Sequence, residues 1–237
     1  MLYMKLEEMY FTDWYHQFIT IEADDLTEQL KDEIKVNEDD CYALCCSYCN
    51  QDGLVCFNVL AIGNTWETCT RGLRFKRMLG TFTIDQVADK EARVCEPDYQ
   101  MAKKNAEFIL MMDEDVDEDI LETRKDPRLD EVRDIYYPDL VMTGLIQDAS
   151  ITDYLMRITG VDGPFLKGVL VQEPEKEIGV HEGDPVYALL YEANGMTRLF
   201  GIFAGSNLDE DAIEAKDKII QETSKLGLDY YGFSMKS

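Results

Sequence analysis

The chain lacks the short motifs on which several kinds of chemistry depend. No GxSxG, GxxxxGK[ST] or HExxH pattern occurs, and no GxGxxG follows a predicted strand. The two histidines, His16 and His181, lie far apart in sequence and have no metal-binding spacing. Scattered carboxylates occur in any acidic protein, so they identify no acid–base pair. We therefore assign no catalytic residue and no cofactor, and an enzyme without a recognisable motif stays an open alternative.

Long apolar runs are also missing. No stretch approaches the roughly 18 apolar residues that a membrane-spanning helix needs. The first residues do not form a signal peptide, because Lys5, Glu7, Glu8 and Asp13 interrupt their apolar positions. Seven cysteines, an odd number without a secretion signal, indicate a reducing compartment. We expect a cytoplasmic protein that does not bind membranes.

Basic residues are few compared with acidic ones. The chain has 23 Lys and Arg residues against 48 Asp and Glu residues, which gives a formal net charge of −25. Such a charge repels nucleic acid and anionic membranes and attracts basic surfaces, but it also simply keeps a protein soluble. The hydrophobic content of 46% argues against disorder. The composition therefore predicts a folded acidic protein with a core.

What the sequence does contain is one order of signals that occurs twice, in residues 36–79 and 180–226. Each copy reads as strand, turn, strand and capped helix. The turns are Asn50-Gln51-Asp52-Gly53 and Asn194-Gly195, and the capping boxes pair Asn64 with Glu67 and Asn207 with Glu210. We interpret the copies as a diverged ββα repeat, which predicts an α+β fold with two similar lobes.

The remaining signals divide the chain into three parts. We predict an N-terminal lobe over residues 1–112, an acidic linker or helix over 113–135 and a C-terminal lobe over 136–237. Strands are expected at 18–22, 81–84, 139–146 and 165–172, and helices at 26–34, 99–112 and 151–158. Phe11, Trp14, Tyr15 and Phe18 are spaced as one face of a short helix, either a core-facing stripe or a partner-binding surface.

Five cysteines fall between positions 41 and 56, and they raise the question of a metal site. Along the predicted strand, Cys41, Cys45 and Cys49 lie on one face and Cys46 lies on the other. The thiols of the Cys46–Cys49 pair, which has the spacing of a zinc-binding pair, would therefore point to opposite faces. The second copy has ordinary core residues at the equivalent positions. Because free cysteine packs as a small hydrophobe, we favour core packing over metal binding.

Carboxylates are concentrated in two segments that form a candidate partner-binding surface: Asp113, Glu114, Asp115, Asp117, Glu118, Asp119 and Glu122, and Asp209, Glu210, Asp211 and Glu214. Asp24-Asp25 and Glu38-Asp39-Asp40 extend the array. The first segment has the initial spacing of a calcium-binding EF-hand loop. However, Glu118 occupies the glycine position and Arg124 the position of the bidentate glutamate, so we predict no dedicated metal site.

The basic cluster on the helix of the first copy consists of Arg71, Arg74, Lys76 and Arg77. Such a patch can bind phosphate or nucleic acid. In a chain of this net charge, pairing with an acidic segment of the same protein is the favoured interpretation.

These observations favour a non-enzymatic acidic protein that binds a protein with a basic surface and does not itself bind nucleic acid. One specific form is an inhibitor that mimics nucleic acid and occupies the basic channel of a restriction or defence protein. The capped ββα unit resembles small modules in phage and mobile-element proteins, a likeness that carries no function with it. The alternative is a metal- or small-ligand-binding protein that uses the cysteine-rich strand.

Overall fold

The computed structural model describes residues 4–26, 30, 36–71, 80–96, 99–147, 150–175, 179–193, 196–203, 217, 221, 230 and 231. The contacts divide the chain into two compact units. The first is Met1–Asp115 with Ile135–Pro138, and the second is Val116–Asp134 with Asp139–Ser237. Each unit has its own sheet, so the predicted α+β class is confirmed. No helix in the part of the chain just listed has the length and apolar character needed to cross a membrane.

The first unit is built on a six-stranded antiparallel sheet with the order β1-β6-β2-β3-β4-β5. Its strands are β1 Met4–Lys5, β2 Phe18–Glu22, β3 Tyr42–Cys49, β4 Val55–Gly63, β5 Gly80–Thr83 and β6 Glu91–Cys95. Its helices are a 3-10 turn Leu6–Glu8, α1 Phe11–Trp14, α2 Trp66–Arg71, α3 Ile84–Val87 and α4 Tyr99–Asp113.

Side-chain alternation along β3 places cysteines on both faces of this sheet. Cys45 and Cys49 belong to the main core with Trp14 and Phe57. The neighbouring Leu44 points to the opposite face, where a smaller cluster also contains Ala61 and Cys69. The period of two in a strand therefore explains why both faces of β3 are buried.

The aromatic spacing at the N-terminus predicts a longer helix than the one that forms. Helix α1 ends at Trp14, and Phe18 is already the first residue of β2, so a single helical face over all four aromatics is wrong. Phe11, Trp14 and Tyr15 nevertheless lie in the core. His16, in the turn between α1 and β2, has a positive φ of 57°, which turns the chain away from the helical path.

Helix α2 begins one residue later than the sequence pattern predicts. The predicted box of Asn64 with Glu67 is wrong, because Thr65 is the capping residue. The backbone N–H of Thr68 donates to Thr65 Oγ1 at 3.1 Å, and the backbone N–H of Thr65 donates to Thr68 Oγ1 at 2.9 Å. A threonine pair thus satisfies the first free N–H groups of the helix. Residues 72–79 of the predicted helix lie outside the described residues.

The second unit contains a five-stranded barrel and a short sixth strand. Its strands are β7 Leu140–Gln147, β8 Ser150–Asp162, β9 Phe165–Leu170, β10 Pro185–Ala193, β11 Met196–Phe203 and β12 Tyr230–Tyr231. Strands β7 to β11 are antiparallel neighbours in sequence order, and β11 returns to pair parallel with β7. The predicted helix at 151–158 is wrong, because these residues belong to the long strand β8.

Two glycines allow the barrel strands to approach closely. A Cβ atom on Gly168 would lie 2.5 Å from the carbonyl oxygen of Arg157 and 2.5 Å from Cγ of Met156. A Cβ atom on Gly201 would lie 2.8 Å from Cγ2 of Thr143. Neither position has room for a side chain, so closure of this small barrel depends on glycine there.

The segment 116–134 belongs to the second unit and packs on its barrel. It forms α5 Glu118–Arg124 and a 3-10 turn Pro127–Leu129. Ile120, Leu129 and Val132 join the barrel core. The guanidinium of Arg124 donates from Nε and Nη2 to both carboxylate oxygens of Asp139, at 2.9 and 2.7 Å. This buried bidentate pair ties α5 to the start of β7.

The strand hairpins of both predicted repeat copies are present, as β3–β4 and β10–β11. Most of the helix predicted for the second copy, and the helix predicted at 26–34, lie outside the described residues. One hairpin sits in an open sheet and the other in a barrel. The structure therefore does not confirm two similar lobes.

Candidate functional site

Carboxylates from two strands meet at one end of the first sheet. Strand β2 ends at Glu22, and the N–H of Ala23 donates to the carbonyl of Cys41 at 2.8 Å, which keeps the two chains together just before β3. This pairing brings the acidic residues after β2 close to those before β3. We call Glu22, Asp24, Asp39 and Asp40 the acidic edge.

The thiol of Cys41 reports how closely these carboxylates converge. Partial burial raises its pKa first, and the charges of Asp24, Glu22, Asp40 and Asp39 raise it further. A nearby negative charge opposes thiolate formation, so four carboxylates act on one point. The acidic edge is thus a local concentration of negative charge.

Within the edge, one carboxylate also shapes the backbone. Asp40 Oδ2 accepts hydrogen bonds from the backbone N–H of Asn37 at 2.8 Å and from its side-chain amide at 3.1 Å. Nearby, Lys90 Nζ lies 3.1 Å from Asp25 Oδ1, and the hydrogen bond from Lys90 lowers the pKa of Asp25. Asp25 is therefore paired with a cation, and Asp24, Asp25 and Asp39 are all exposed.

A cleft with a volume of about 740 Å³ lies on the first unit. Its described lining comes from the strands β1, β2 and β6, the start of α2 and three residues outside these elements: Met4, Met9, Gln17, Thr20, Trp66, Glu67, Ala92, Arg93, Val94, Cys95 and Glu96. The volume is in the range typical of ligand pockets, roughly 300–1,000 Å³. Apolar side chains line the cleft together with two carboxylates and one guanidinium.

A small buried cluster around Cys69 contacts residues next to the acidic edge and residues of the cleft. Burial raises the pKa of Cys69 to about 12, with further contributions from Asp40, Cys41 and Cys95. Cys69 belongs to a buried cluster against which Tyr42, at the start of β3, and Cys95, which lines the cleft, are packed. The ring of Tyr42 lies 4.9 Å, between centroids, from the ring of Trp66, which lines the cleft.

The cysteines of β3 are mostly interior. Cys45, Cys46 and Cys49 are buried, and Cys41 is partly exposed. Burial raises the pKa of Cys46 to about 12 and that of Cys45 well above its usual range. Since a metal binds the thiolate, such an environment opposes metal binding. Across the described ranges, no group of three or more His, Cys, Asp and Glu side chains is placed to hold a metal ion.

The predicted acidic run from Asp113 to Glu122 divides between the two units. In the first unit, His16 Nε2 lies 3.6 Å from Asp113 Oδ2. In the second unit, Asp117 caps α5 by accepting from the N–H of Asp119 at 2.9 Å, and Asp119 Oδ2 accepts from the N–H of Val161 at 3.1 Å. These three carboxylates thus have structural partners.

Other members of the predicted surface differ in their exposure. Glu122 Oε1 pairs with Lys125 Nζ at 2.8 Å on the surface of α5. Glu114, Asp115 and Glu118 are exposed. The acidic residues Asp209, Glu210, Asp211 and Glu214 and the basic residues Arg74, Lys76 and Arg77 lie outside the described residues, as does the side chain of Arg71.

Sequence reasoning named Asp24, Asp39 and Asp40 but missed Glu22 and the whole cleft. The signal for Glu22 was present, since it ends a correctly predicted strand directly before Asp24. Strand β6, Glu-Ala-Arg-Val-Cys, alternates polar and apolar residues up to Val94, but this pattern does not indicate which strand it pairs with. The cleft therefore had no sequence signature.

Comparison with known proteins gives no relative for this chain. It matches no family model, no curated protein and no solved structure.

Proposed function

We propose that the protein is a non-enzymatic binding protein whose acidic edge recognises a basic surface on a partner protein. The observation that carries the proposal is the backbone pairing of Ala23 with Cys41 at 2.8 Å, which brings the acidic residues after β2 beside those before β3. Closely spaced negative charges attract a basic surface and speed its association. Asp24 and Asp39 are exposed and accessible to such a partner.

A more specific form of the proposal is mimicry of nucleic acid. Duplex DNA carries one negative charge per ~1.7 Å of its axis, so a mimic must present carboxylates at short spacing. The side-by-side acidic segments of the edge support such an array, and the net charge of −25 adds a long-range attraction. The partner would then be a protein whose basic channel normally holds DNA or RNA.

The test compares two variants that lose the same charge. The edge variant carries Glu22→Gln, Asp24→Asn and Asp39→Asn, and it spares Asp40 because that carboxylate holds a turn. The control variant carries Asp52→Asn, Asp85→Asn and Asp89→Asn, at exposed positions outside the edge. Both variants and the unaltered protein are immobilised, exposed to lysate and eluted with stepped salt.

We expect a basic protein to bind the unaltered protein and the control, and to bind the edge variant about tenfold more weakly. Release at a sharp salt step and competition by duplex DNA would support mimicry. Equal binding by the edge and control variants would show that net charge alone is responsible and would contradict the proposal. Retention that DNA does not displace would keep the acidic binding protein and exclude the mimic.

A further inference from the structure

Helix α4 contacts the sheet of the first unit through a small and partly polar surface. Of its described side chains, only Asn105 is nearly completely buried, at 4% exposure. Asn58 Nδ2 on β4 donates to Asn105 Oδ1 at 3.4 Å, while the buried Oδ1 of Asn58 has no hydrogen-bond partner among the described residues. A buried amide that is only partly satisfied contributes little to stability. The middle of α4 is therefore held weakly.

The apolar residues in the last turns of α4 do little to strengthen this contact. Leu110 and Met111 are 71% and 56% exposed. The ring of Phe108 contacts Tyr48 of β3 edge to face, with centroids 5.1 Å apart, but Phe108 itself is only partly buried. Because helical stability in proteins comes mostly from packing an apolar face, the C-terminal end of α4 depends on other contacts.

His16 supplies such a contact. Its Nε2 lies 3.6 Å from Oδ2 of Asp113, the last residue of α4. The two side chains are 20% and 14% exposed, so solvent and salt screen their charges less than those of a surface pair. The carbonyl groups at the C-terminus of a helix carry partial negative charge, which also favours a cation there. A protonated His16 thus meets both a carboxylate and a negative helix end.

The turn that carries His16 fixes the direction of its imidazole. The ring of Tyr15 stacks on the imidazole, with centroids 3.8 Å apart and an angle of 29° between the planes, and Tyr15 belongs to the main core. The backbone of His16 has a positive φ of 57°, a conformation that is costly for a residue with a side chain. Histidine thus occupies a position that glycine adopts more easily, and its side chain is held against the end of α4.

The ionisable groups around the imidazole determine the sign of its pH dependence. Asp113 faces it from α4, and Tyr15 stacks on it from the turn itself. Asp13 of α1 and the other charged side chains of α4 are exposed. Strand β3 pairs with the chain that follows the turn, and it has no Asp, Glu, Lys, Arg or His between residues 42 and 49. The carboxylate of Asp113 therefore dominates, and it favours the charged imidazolium.

We propose that His16 and Asp113 form a pH-sensitive latch that holds the C-terminal end of α4 against the turn between α1 and β2 in mild acid and releases it at neutral pH. Imidazoles are ordinarily charged below about pH 6.5 and carboxylates above about pH 4, so both partners are charged between these values. The stabilisation is present while the imidazole is protonated and is lost as the pH rises through its titration. The exposed carboxylates Glu114 and Asp115 directly follow this helix end, so the latch also determines how they are presented.

The experiment measures hydrogen exchange of the full chain at about pH 5.5 and about pH 7.5, on either side of histidine titration. Each rate is divided by the intrinsic exchange rate of that amide. We expect the amides from Leu110 to Asp113 to lose protection about tenfold at the higher pH, and the amides of β3 to change much less. An NMR titration follows both imidazoles, and the midpoint for His16, rather than that for His181, should coincide with the loss of protection.

Two pairs of variants provide the matched comparison. His16→Asn removes the titrating ring and keeps a residue type that tolerates a positive φ, and Asp113→Asn removes the carboxylate. Each should show the low protection of the neutral protein at both pH values, so that the tenfold difference disappears. Asp13→Asn and His181→Asn remove an exposed carboxylate of α1 and the other histidine, and both should retain the difference. Circular dichroism checks that all four variants fold.

Three results would overturn the proposal. The first is protection of the helix end that stays constant while the His16 ring titrates. The second is a pH dependence that persists in His16→Asn or in Asp113→Asn. The third is greater protection at the higher pH, which would show that protonation of His16 opposes docking of α4. If a variant does not fold, the comparison of the two midpoints in the unaltered protein still decides.

Discussion

The sheet of the first unit is open, whereas five strands of the second unit close into a barrel. Both contain a hairpin with similar local signals, β3–β4 and β10–β11. In the first unit β4 continues to the short edge strand β5, but in the second β11 turns back to β7, where Leu199 pairs with Thr143. The comparison shows that a hairpin sequence specifies the pairing of its own two strands. The neighbouring strands determine whether the sheet stays open or closes into a barrel.

This difference distinguishes the first unit, which carries the candidate site, from the barrel of the second unit. Closure pairs the five barrel strands on both sides, while the open sheet ends in two edge strands, β1 and β5. The acidic edge and the cleft also lie on the first unit. We therefore expect substitutions in the second unit to act through stability, and substitutions at the cleft or the acidic edge to act through binding.

The largest expected effect in the second unit comes from Asp139→Asn. Arg124 is 3% exposed and forms the bidentate pair with this carboxylate. An amide cannot accept both guanidinium hydrogen bonds, and it leaves the buried positive charge uncompensated. Breaking such a pair costs about 3–5 kcal/mol of the free energy of unfolding, which urea denaturation would measure.

Glu122→Gln provides the control on the same helix. Its pair with Lys125 is more than half exposed at both side chains, so the expected loss is below about 1 kcal/mol. An Arg124→Met, Asp139→Asn double variant should be more stable than Asp139→Asn alone, because it removes the uncompensated charge. Similar losses for Asp139→Asn and Glu122→Gln would contradict the role assigned to the buried pair.

A smaller effect is expected where glycine permits barrel closure. Gly168→Ala places a methyl group against the carbonyl of Arg157, and a backbone atom cannot move away without opening the strand pair. We expect a loss of about 1–3 kcal/mol. Gly80→Ala in the open sheet meets only the end of the Leu30 side chain, at 2.6 Å, which can change rotamer. A larger loss for Gly80→Ala than for Gly168→Ala in thermal unfolding would contradict the contrast between the two sheets.

Local patterns predicted most elements of the first unit and misread one in the second. Strand β2 has its predicted bounds, and α4 differs from prediction by one residue. In β8, Ile151, Tyr154, Leu155 and Ile158 have helical spacing, but the buried side chains are Tyr154, Met156 and Ile158, at every second position. The two-residue period of a strand was present in the sequence of β8, but the apolar residues also matched the 3.6-residue period of a helix by chance, and this second match led to the wrong prediction.

The candidate site was less predictable because its parts are far apart in sequence. The acidic edge forms where the pairing of β2 with β3 brings two acidic segments together. The clustering of Asp24, Asp39 and Asp40 was visible in the sequence, but the strand pairing that joins them was not. The cleft needs Met4, Trp66 and Cys95, which lie on three separate elements. It also depends on the pairing of β6 with β2, although the three strands β3, β4 and β5 lie between them in sequence. Non-local strand pairing of this kind has no local signal.

The smallest expected effect concerns the turn between β9 and β10. The N–H of Glu182 donates to Glu173 Oε2 at 2.9 Å, and the His181 ring lies 2.7 Å from Oε1. These bonds, the backbone one first, lower the pKa of Glu173. A carboxyl with a lowered pKa stabilises the folded state above its unfolded pKa, and that contribution is lost as the pH falls through the folded value. Glu173→Gln should therefore reduce the acid sensitivity of the turn only slightly, because the pair is exposed.

His181→Ala should raise the pKa of Glu173 only part of the way to its ordinary value, since the hydrogen bond from the backbone N–H of Glu182 remains. An NMR titration that finds a full return to the ordinary value would show that the imidazole, and not the backbone N–H, lowers the pKa of this carboxylate.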